Sequence, residues 1–359
     1  MIADSLKLTT YYGERDRANG GFLADAFTEI YARHRLQTSV VMRGVEGFGA
    51  TQLVRTDRLL TLSEDLPLVS VAVDTRARIE AALADVRELR FQGLVTLERA
   101  RLLTGPVVPP PALDGATKLT IYLGRHERIA GRPAYEALVA LLHRRSVAGA
   151  TVLLGVDGTA HGVRRRARFF GGNTQVPLMV IAVGEAQDIQ AVLPELTAIL
   201  PRPLMTLERV QVCKRDGARL SEPRRVPEAD PSGLGVWQKL MVYAGEQSRH
   251  AGRPLHHQLI RALREAGASG ATSLRGVWGY HGDHDPHGDS FWQLRRRVPV
   301  LTVLVDRPER IRRWFAIVDE LTDETGLVTS EMVPAYRATG PDLEHGGLEL
   351  ARPGGEQRD

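Results

Sequence analysis

Three stretches of this one chain share a single spaced pattern. "KLTTYYGERDRANGG" begins at Lys7, "KLTIYLGRHERIAGR" at Lys118 and "KLMVYAGEQSRHAGR" at Lys239. They agree without a gap on K-L-x-x-Y-x-G-x-x-x-R-x-x-G. The agreement runs on through "VMRGVEG", "LLGVDG" and "LRGVWG", so that Gly44, Gly155 and Gly276 correspond, as do Gly47, Gly158 and Gly279. Later landmarks recur in step: Pro67, Pro177 and Pro299, then Glu98, Glu208 and Glu331. A chain that repeats at this interval builds one supersecondary unit three times, and stacked copies cover the faces that each leaves open.

Within a copy the order is strand, helix, strand, long loop, strand, helix, strand. "LTIYLG" is short, β-branched and aromatic and ends at a glycine, as a strand does. In "GRPAYEALVALLHRRS" a proline stands where a helix begins, and Tyr135, Leu138, Val139 and Leu142 recur at helical spacing. "ATVLLGV" and "PLMVIAV" are apolar runs of strand length. The second helix carries Ile79, Ala82, Leu83 and Val86 in the first copy and Ile311, Trp314, Phe315 and Val318 in the third. This βαββαβ order is the split βαβ, ferredoxin-like motif. The expected fold is therefore α+β: three tandem ferredoxin-like domains at 5–104, 117–213 and 237–337, packed around a pseudo-threefold axis. The spacers 104–117 and 213–236 are rich in proline or polar residues, and 338–359 reads as a disordered tail.

Composition narrows the function classes. The formal net charge is +4 over 359 residues, which gives no support to a nucleic-acid role. No apolar run approaches a membrane span and "MIADSLKLTT" carries no export signal, so a cytoplasmic address is expected. The lone Cys213 excludes an intramolecular disulfide and a CxxC metal knuckle. Only four lysines stand against 43 arginines, and three of the four, Lys7, Lys118 and Lys239, open the repeats. A lysine retained where arginine is the habit marks a tight site or a contact between units, and the second reading is preferred. No nucleophile elbow, P-loop or H-E-x-x-H pattern occurs, so no enzyme is expected.

The pattern Y-x-G-x-x-x-R-x-x-G-R-P, then G-A-T-x-L-x-G-v-x-G, the proline before the third strand and the v-T-L-E ending together resemble the family called domain of unknown function 190. The resemblance covers about nine-tenths of the chain. That family is similar to the PII-type (GlnB-like) signalling superfamily, whose members are trimers of ferredoxin-like units. The resemblance implies an intramolecular PII-like pseudo-trimer, monomeric because its three units are fused. It implies adenine-nucleotide binding in clefts between units, and a long loop that signals to a partner such as a membrane transporter or channel. PII proteins place a glycine- and lysine-rich loop before the last strand. "RFQGLV", "LPRPLM" and "DETGLV" stand there instead, which directs the expectation to a mononucleotide such as AMP or another small anion.

Candidate ligand residues follow. Gly44, Gly47, Gly155, Gly158, Gly276 and Gly279 admit close backbone approach to a ligand, or else form a bulge that launches the long loop. Arg17, Arg128 and Arg249 lie just past the first strand and suit either a phosphate or an acidic group across a unit boundary. Arg43 and Arg275 precede the first glycine, whereas copy two has Leu154 there. Only copy three combines Arg249, Arg253 and Arg275, so an anion is expected to prefer a cleft built partly from it.

The three long loops are alike in length and different in chemistry. Loop two carries Arg164, Arg165, Arg166 and Arg168 beside Phe169 and Phe170. Loop three, "GYHGDHDPHGDSFW", carries His281, His284 and His287 among aspartates, a ligand set that suits a divalent metal such as Zn, Ni or Mn. Gly282, Pro286 and Gly288 oppose the helix that would align these imidazoles, which favours a mobile recognition loop. Three function classes result: a ligand-sensing regulatory protein, a ligand-free scaffold, and a metal-binding protein or metal-dependent enzyme acting through 281–289.

Overall fold

The structure is a computed structural model that describes residues 2–49, 52–56, 65–89, 91–107, 110–160, 163–164, 176–227, 236–281, 286–288, 298–322, 325–333 and 335–339. The fold is α+β, with six helices among the described residues and sheets paired antiparallel throughout. Repeat one runs Ile2–Gly13, helix α1 (Leu23–Arg33), Thr38–Arg43, Pro67–Thr75, helix α2 (Arg76–Glu88) and Gly93–Thr104. Repeat two runs Ala116–Gly124, α3 (Ala134–Arg144), Gly149–Leu154, Pro177–Glu185, α4 (Ala186–Ile199) and Leu204–Arg209. Repeat three runs Trp237–Gly245, α5 (Leu255–Glu265), Ala271–Arg275, Pro299–Asp306, α6 (Pro308–Leu321) and Leu327–Val333. In each, the first strand lies between the third and fourth, and the second pairs with the outer edge of the third. Proline starts the helices as the sequence suggests, although Pro133 and Pro254 sit at the N-cap and only Pro308 occupies the first turn.

The R-x-x-G part of the motif forms a miniature hairpin between the first strand and the first helix. Asn19-Gly20, Ala130-Gly131 and Ala251-Gly252 each place two successive residues at positive φ, between 48° and 83°. That is the backbone of a tight primed turn, and it explains the glycine at this position in all three copies. The turn before it is closed by a side chain three residues on: the Gly13, Gly124 and Gly245 amides donate to Asp16, Glu127 and Ser248.

The repeats are sheet-bonded to one another in a closed cycle. After each second strand the chain steps onto a neighbour: Glu46–Phe48 pairs with Ala271–Arg275, Asp157–Ala160 with Thr38–Arg43, and Trp278–His281 with Gly149–Leu154. The register is the same each time, with Ser273 opposite Glu46, Val41 opposite Asp157 and Val152 opposite Trp278. The C-terminal ends close the cycle in the other direction. The Gly93–Thr104 strand pairs with Leu204–Arg209, Gln211–Arg215 with Leu327–Val333, and Ala335–Thr339 with Gly93–Thr104. Ala338 and Thr339, assigned to the tail from sequence, belong to this last strand, and the Gln211–Arg215 strand runs on into the first residues of the second spacer.

Each repeat keeps a separate apolar core between its helices and one sheet face. A fourth core gathers Val71, Met179, Met241 and Leu301 with their neighbours from all three repeats, on the sheet faces turned away from the helices. Both faces of each repeat's four-stranded sheet are thus covered, which is why the third strands read as continuous apolar runs. The period of two places Leu6 and Leu8 toward the helices and Lys7 toward the shared core.

The shared interior holds six charges in a ring. Lys7, Lys118 and Lys239 stand opposite Glu98, Glu208 and Glu331 on the adjacent strand of their own repeat. Each lysine bonds that glutamate, at 2.8, 2.8 and 2.9 Å respectively, and also the glutamate of a different repeat. The second set is Lys7 to Glu208, Lys118 to Glu331 and Lys239 to Glu98. Six ion pairs therefore close an alternating circuit of zero net charge, with every side chain at most 8% exposed.

Burial alone would raise the carboxyls and lower the ammoniums. Against it, Lys239 and Lys7 hold Glu98 well below the carboxylate range, and Lys118 and Lys239 lower Glu331. The carboxylates likewise outweigh burial at Lys7 and Lys239, whose values are raised. Lys118, the most deeply buried of the three at 2% exposed, is drawn below its ordinary value by that burial.

Removing one member leaves the others short of a counter-charge, so Lys7→Met should cost about 3–5 kcal/mol in urea unfolding, and Lys118→Met less. The two lowered glutamates contribute stability that is present above their ordinary 4.5 and is lost as pH falls. The two raised lysines contribute stability that is present below 10.5 and is lost as pH rises further. The melting temperature should accordingly be flat between these limits, fall on both sides, and lose much of its alkaline limb in Lys7→Met.

Candidate ligand-binding sites at the repeat junctions

The glycine pairs sit where the chain crosses from one repeat to the next. The amides of Gly44, Gly155 and Gly276 donate to the carbonyls of Pro67, Pro177 and Pro299 at 2.7–2.9 Å. The next amide then donates to the neighbouring repeat, Val45 to Ser273, Val156 to Val41 and Val277 to Val152. A Cβ at Gly44 or Gly276 would lie 2.7 Å from a proline ring, and one at Gly155 the same distance from the Pro177 carbonyl. At Gly47, Gly158 and Gly279 a Cβ would come within 2.8, 2.1 and 2.3 Å of the adjoining repeat's carbonyl oxygens. Close approach is required, and the group that approaches is the neighbouring backbone.

The arginines divide into two groups. Arg43 and Arg275 are paired inside their own repeats, with Glu14 and Glu246, at 2.8 and 2.9 Å. Glu14 and Glu246 occupy the same repeat position, where copy two has Arg125, and copy two has also replaced the partner arginine by Leu154. Both halves of the pair are absent together. Arg17, Arg128, Arg249 and Arg253 stand exposed on the miniature hairpins. Arg17 lies over the Phe22 ring at 4.6 Å, and Arg249 donates to the Glu246 carbonyl at 2.9 Å. Glu246 thus holds Arg249 through its carbonyl and Arg275 through its carboxylate, which neutralises Arg275.

The junction between repeats two and three encloses a cleft of about 20 Å³. Its walls include Thr151, Ile181 and Val183 from repeat two and Tyr243, Tyr280 and Leu327 from repeat three, together with Arg215 and Asp216. Burial holds both phenols above their ordinary range, so they are neutral. Arg215 has buried Nε and Nη2 atoms without a hydrogen bond among the described residues, and Glu185 lies 3.7 Å away. None of the arginines singled out from sequence lines this cleft. Arg215 lies in the stretch read as a spacer, which gave no reason to select it.

Loop two contributes a different contact. Arg164 bridges Asp25 of α1 and Asp157 at 2.5 and 2.6 Å, joining repeats one and two, and the bond from Asp157 foremost raises its pKa. Arg165, Arg166, Arg168, Phe169 and Phe170 lie outside the described residues. Of the loop-three histidines, His281 ends the Trp278–His281 strand and His287 pairs in register with Gly279. His284 lies outside the described residues.

Comparison with known proteins follows the same threefold division. The family model DUF190, described as an uncharacterized ACR, matches residues 5–102, 116–212 and 237–335. The chain belongs to this family. Two single-copy relatives agree with one repeat each in length. A UPF0166 protein of Aquifex aeolicus is 30% identical over 95 residues, 26% of this chain and 88% of that protein. A UPF0166 protein of Methanocaldococcus jannaschii is 32% identical over 84 residues, 23% of this chain and 76% of that protein. Among solved structures, an aspartate kinase from Synechocystis overlaps at 12% identity with a TM-score of 0.24, over 97% of this chain and 47% of that one. A score of that size does not establish a shared fold. Among the described residues of this DUF190 chain, no helix is long and apolar enough to cross a membrane.

The crossing glycines should be intolerant for the reason given. Gly158→Ala places a methyl against the Ser39 carbonyl and should lower stability by about 1–3 kcal/mol in urea unfolding. Gly49→Ala, which meets nothing within 4 Å, should stay within about 0.5 kcal/mol of the parent.

Proposed function

We propose that this chain is a PII-like regulatory protein of the cytoplasm. Its three ferredoxin-like domains form an intramolecular pseudo-trimer that binds a small anionic ligand in an inter-repeat cleft, an adenine mononucleotide such as AMP being the preferred candidate. The long loops pass the state of the cleft to a protein partner, for which a membrane transporter or channel is the expectation. The observation that carries this reading is the cleft between repeats two and three. It combines an under-bonded guanidinium with two aromatic rings and an aliphatic wall. A guanidinium fork suits a phosphate, and an apolar, aromatic wall suits a base.

In its present form the cleft has room for about one water molecule. A nucleotide therefore enters by parting the Trp278–His281 strand from Gly149–Leu154, and loop three continues from that strand. Binding and loop position are coupled by this arrangement, which is what a sensor needs. The small volume also favours a second reading, a scaffold whose junctions hold no ligand. A catalytic role has less support: the lone cysteine is buried and its thiol is pushed up to about 12.

Calorimetric titration with AMP, ADP, ATP and cyclic nucleotides separates the readings. One of them should bind, and Arg215→Ala should weaken it about tenfold or more while Arg43→Ala leaves it unchanged. Silence across the panel would select the scaffold.

A further inference from the structure

The first helix of every repeat packs on the crossing strand of a neighbour, and one repeat-equivalent position recurs there with different chemistry. Between repeats one and two the facing residues are Asp25 on α1 and Asp157, with the Arg164 guanidinium set between the two carboxylates. Between repeats two and three the equivalent residues are Glu136 on α3 and Trp278. Between repeats three and one they are His257 on α5 and Glu46, preceded on the helix by His256. His257 Nδ1 is in contact with Glu46 Oε2, and the two imidazole rings lie with centroids 4.2 Å apart. One ligand atom from each of Glu46, His256 and His257 lies within 4.8 Å of the others. Glu46 and His256 are buried, and the His257 Nε2 atom is buried without a hydrogen bond among the described residues.

We propose that Glu46, His256 and His257 form a site for a divalent transition-metal ion that ties repeat one to repeat three. Two imidazoles and a carboxylate are a donor set for zinc and its neighbours in the first row. Tetrahedral ligands about 2.0–2.2 Å from such an ion stand about 3.3–3.6 Å apart, and the three donor atoms already lie within 4.8 Å of one another, so side-chain rotations that also part His257 from Glu46 bring them to that spacing. The equivalent junction supports the assignment. There two carboxylates face each other and the positive charge between them is a guanidinium, whereas here two imidazoles and one carboxylate offer their donor atoms to a cation from solution. Among the described residues the one other trio of ligand geometry, Glu98, Glu208 and Glu331, is already held by three lysines. The assignment differs from a site on loop three and does not depend on the nucleotide reading.

The test uses the full chain after chelator treatment, titrated with Co(II) and Zn(II), and a variant in which His281, His284 and His287 are all alanine. Both proteins should take up one equivalent of Co(II) with visible d–d bands. Affinity should fall by at least about tenfold in His257→Gln and in Glu46→Gln, each of which should melt as the parent does in EDTA. Uptake unchanged in both variants, or abolished by the loop substitutions, would overturn the site. Zinc-edge anomalous diffraction of the unmodified protein gives a second readout that no folding defect can confuse. A peak among Glu46, His256 and His257 is expected, and no peak there would falsify the proposal.

Discussion

Everything in this molecule is arranged around six buried charges. An ammonium or carboxylate removed from water costs several kcal/mol even after relaxation, and it persists only where counter-charges and hydrogen bonds surround it. No single repeat provides that here. Lys7 finds Glu98 on its own sheet, but its second carboxylate comes from repeat two, and each of the six is in the same position. The ring is complete only when all three repeats are present in one order and one register. A shift of any strand by one residue would turn its charge toward a helix-packed apolar core. The ion pairs are thus better understood as a specification of the arrangement than as a source of net stability. The apolar surface shared by the three sheets supplies the association, and the ring excludes alternative ways of making it.

Fusion of the repeats explains what has been kept and what has diverged. The features that all copies need for closure are repeated: the lysine and glutamate of the ring, the crossing glycines, and the positive-φ turn before the first helix. Features that act at one junction alone have no such constraint. Copy two has lost both the glutamate and the arginine of the pair that Glu14–Arg43 and Glu246–Arg275 retain, which is the expected signature of residues that matter to each other. At the helix-to-crossing-strand contact the three junctions carry a guanidinium bridge, a histidine–carboxylate cluster and a tryptophan.

The repeat made much of this legible in the sequence. It carries the element order, the strand-one lysines and the strand-four glutamates, and lysines retained in an arginine-rich chain point to contacts between units. What it did not give was the partner of each lysine. Pairing Lys7 with Glu208 requires knowing that the unit boundary falls on that face of the sheet, and no local pattern records it. Arg215 was overlooked for a related reason. It lies in a polar stretch with the composition of a spacer, and only its pairing with the Leu327–Val333 edge makes it part of a cleft. His257 and Glu46 are 211 residues apart and belong to non-adjacent copies, so the conspicuous histidines of loop three drew the metal expectation instead. The glycines illustrate the opposite case: their need for close approach was plain, and what approaches them became visible only when the neighbouring carbonyls were in place.

The crossing strands also determine what a movement at a junction can reach. Each long loop begins directly after a strand that pairs with a neighbouring repeat on one side and with a two-residue strand of its own loop on the other. A loop so rooted is tied to the boundary between two units. Separating one crossing strand from its neighbour by even part of a ladder would re-aim the loop while leaving the ring of charges and the three helix-packed cores intact. The cost of such a motion is local, a few exposed backbone bonds, whereas any motion that opened the ring would expose unpaired charge. A motion at a junction edge therefore costs less than one that opens the ring, and at those edges the three copies carry different chemistry.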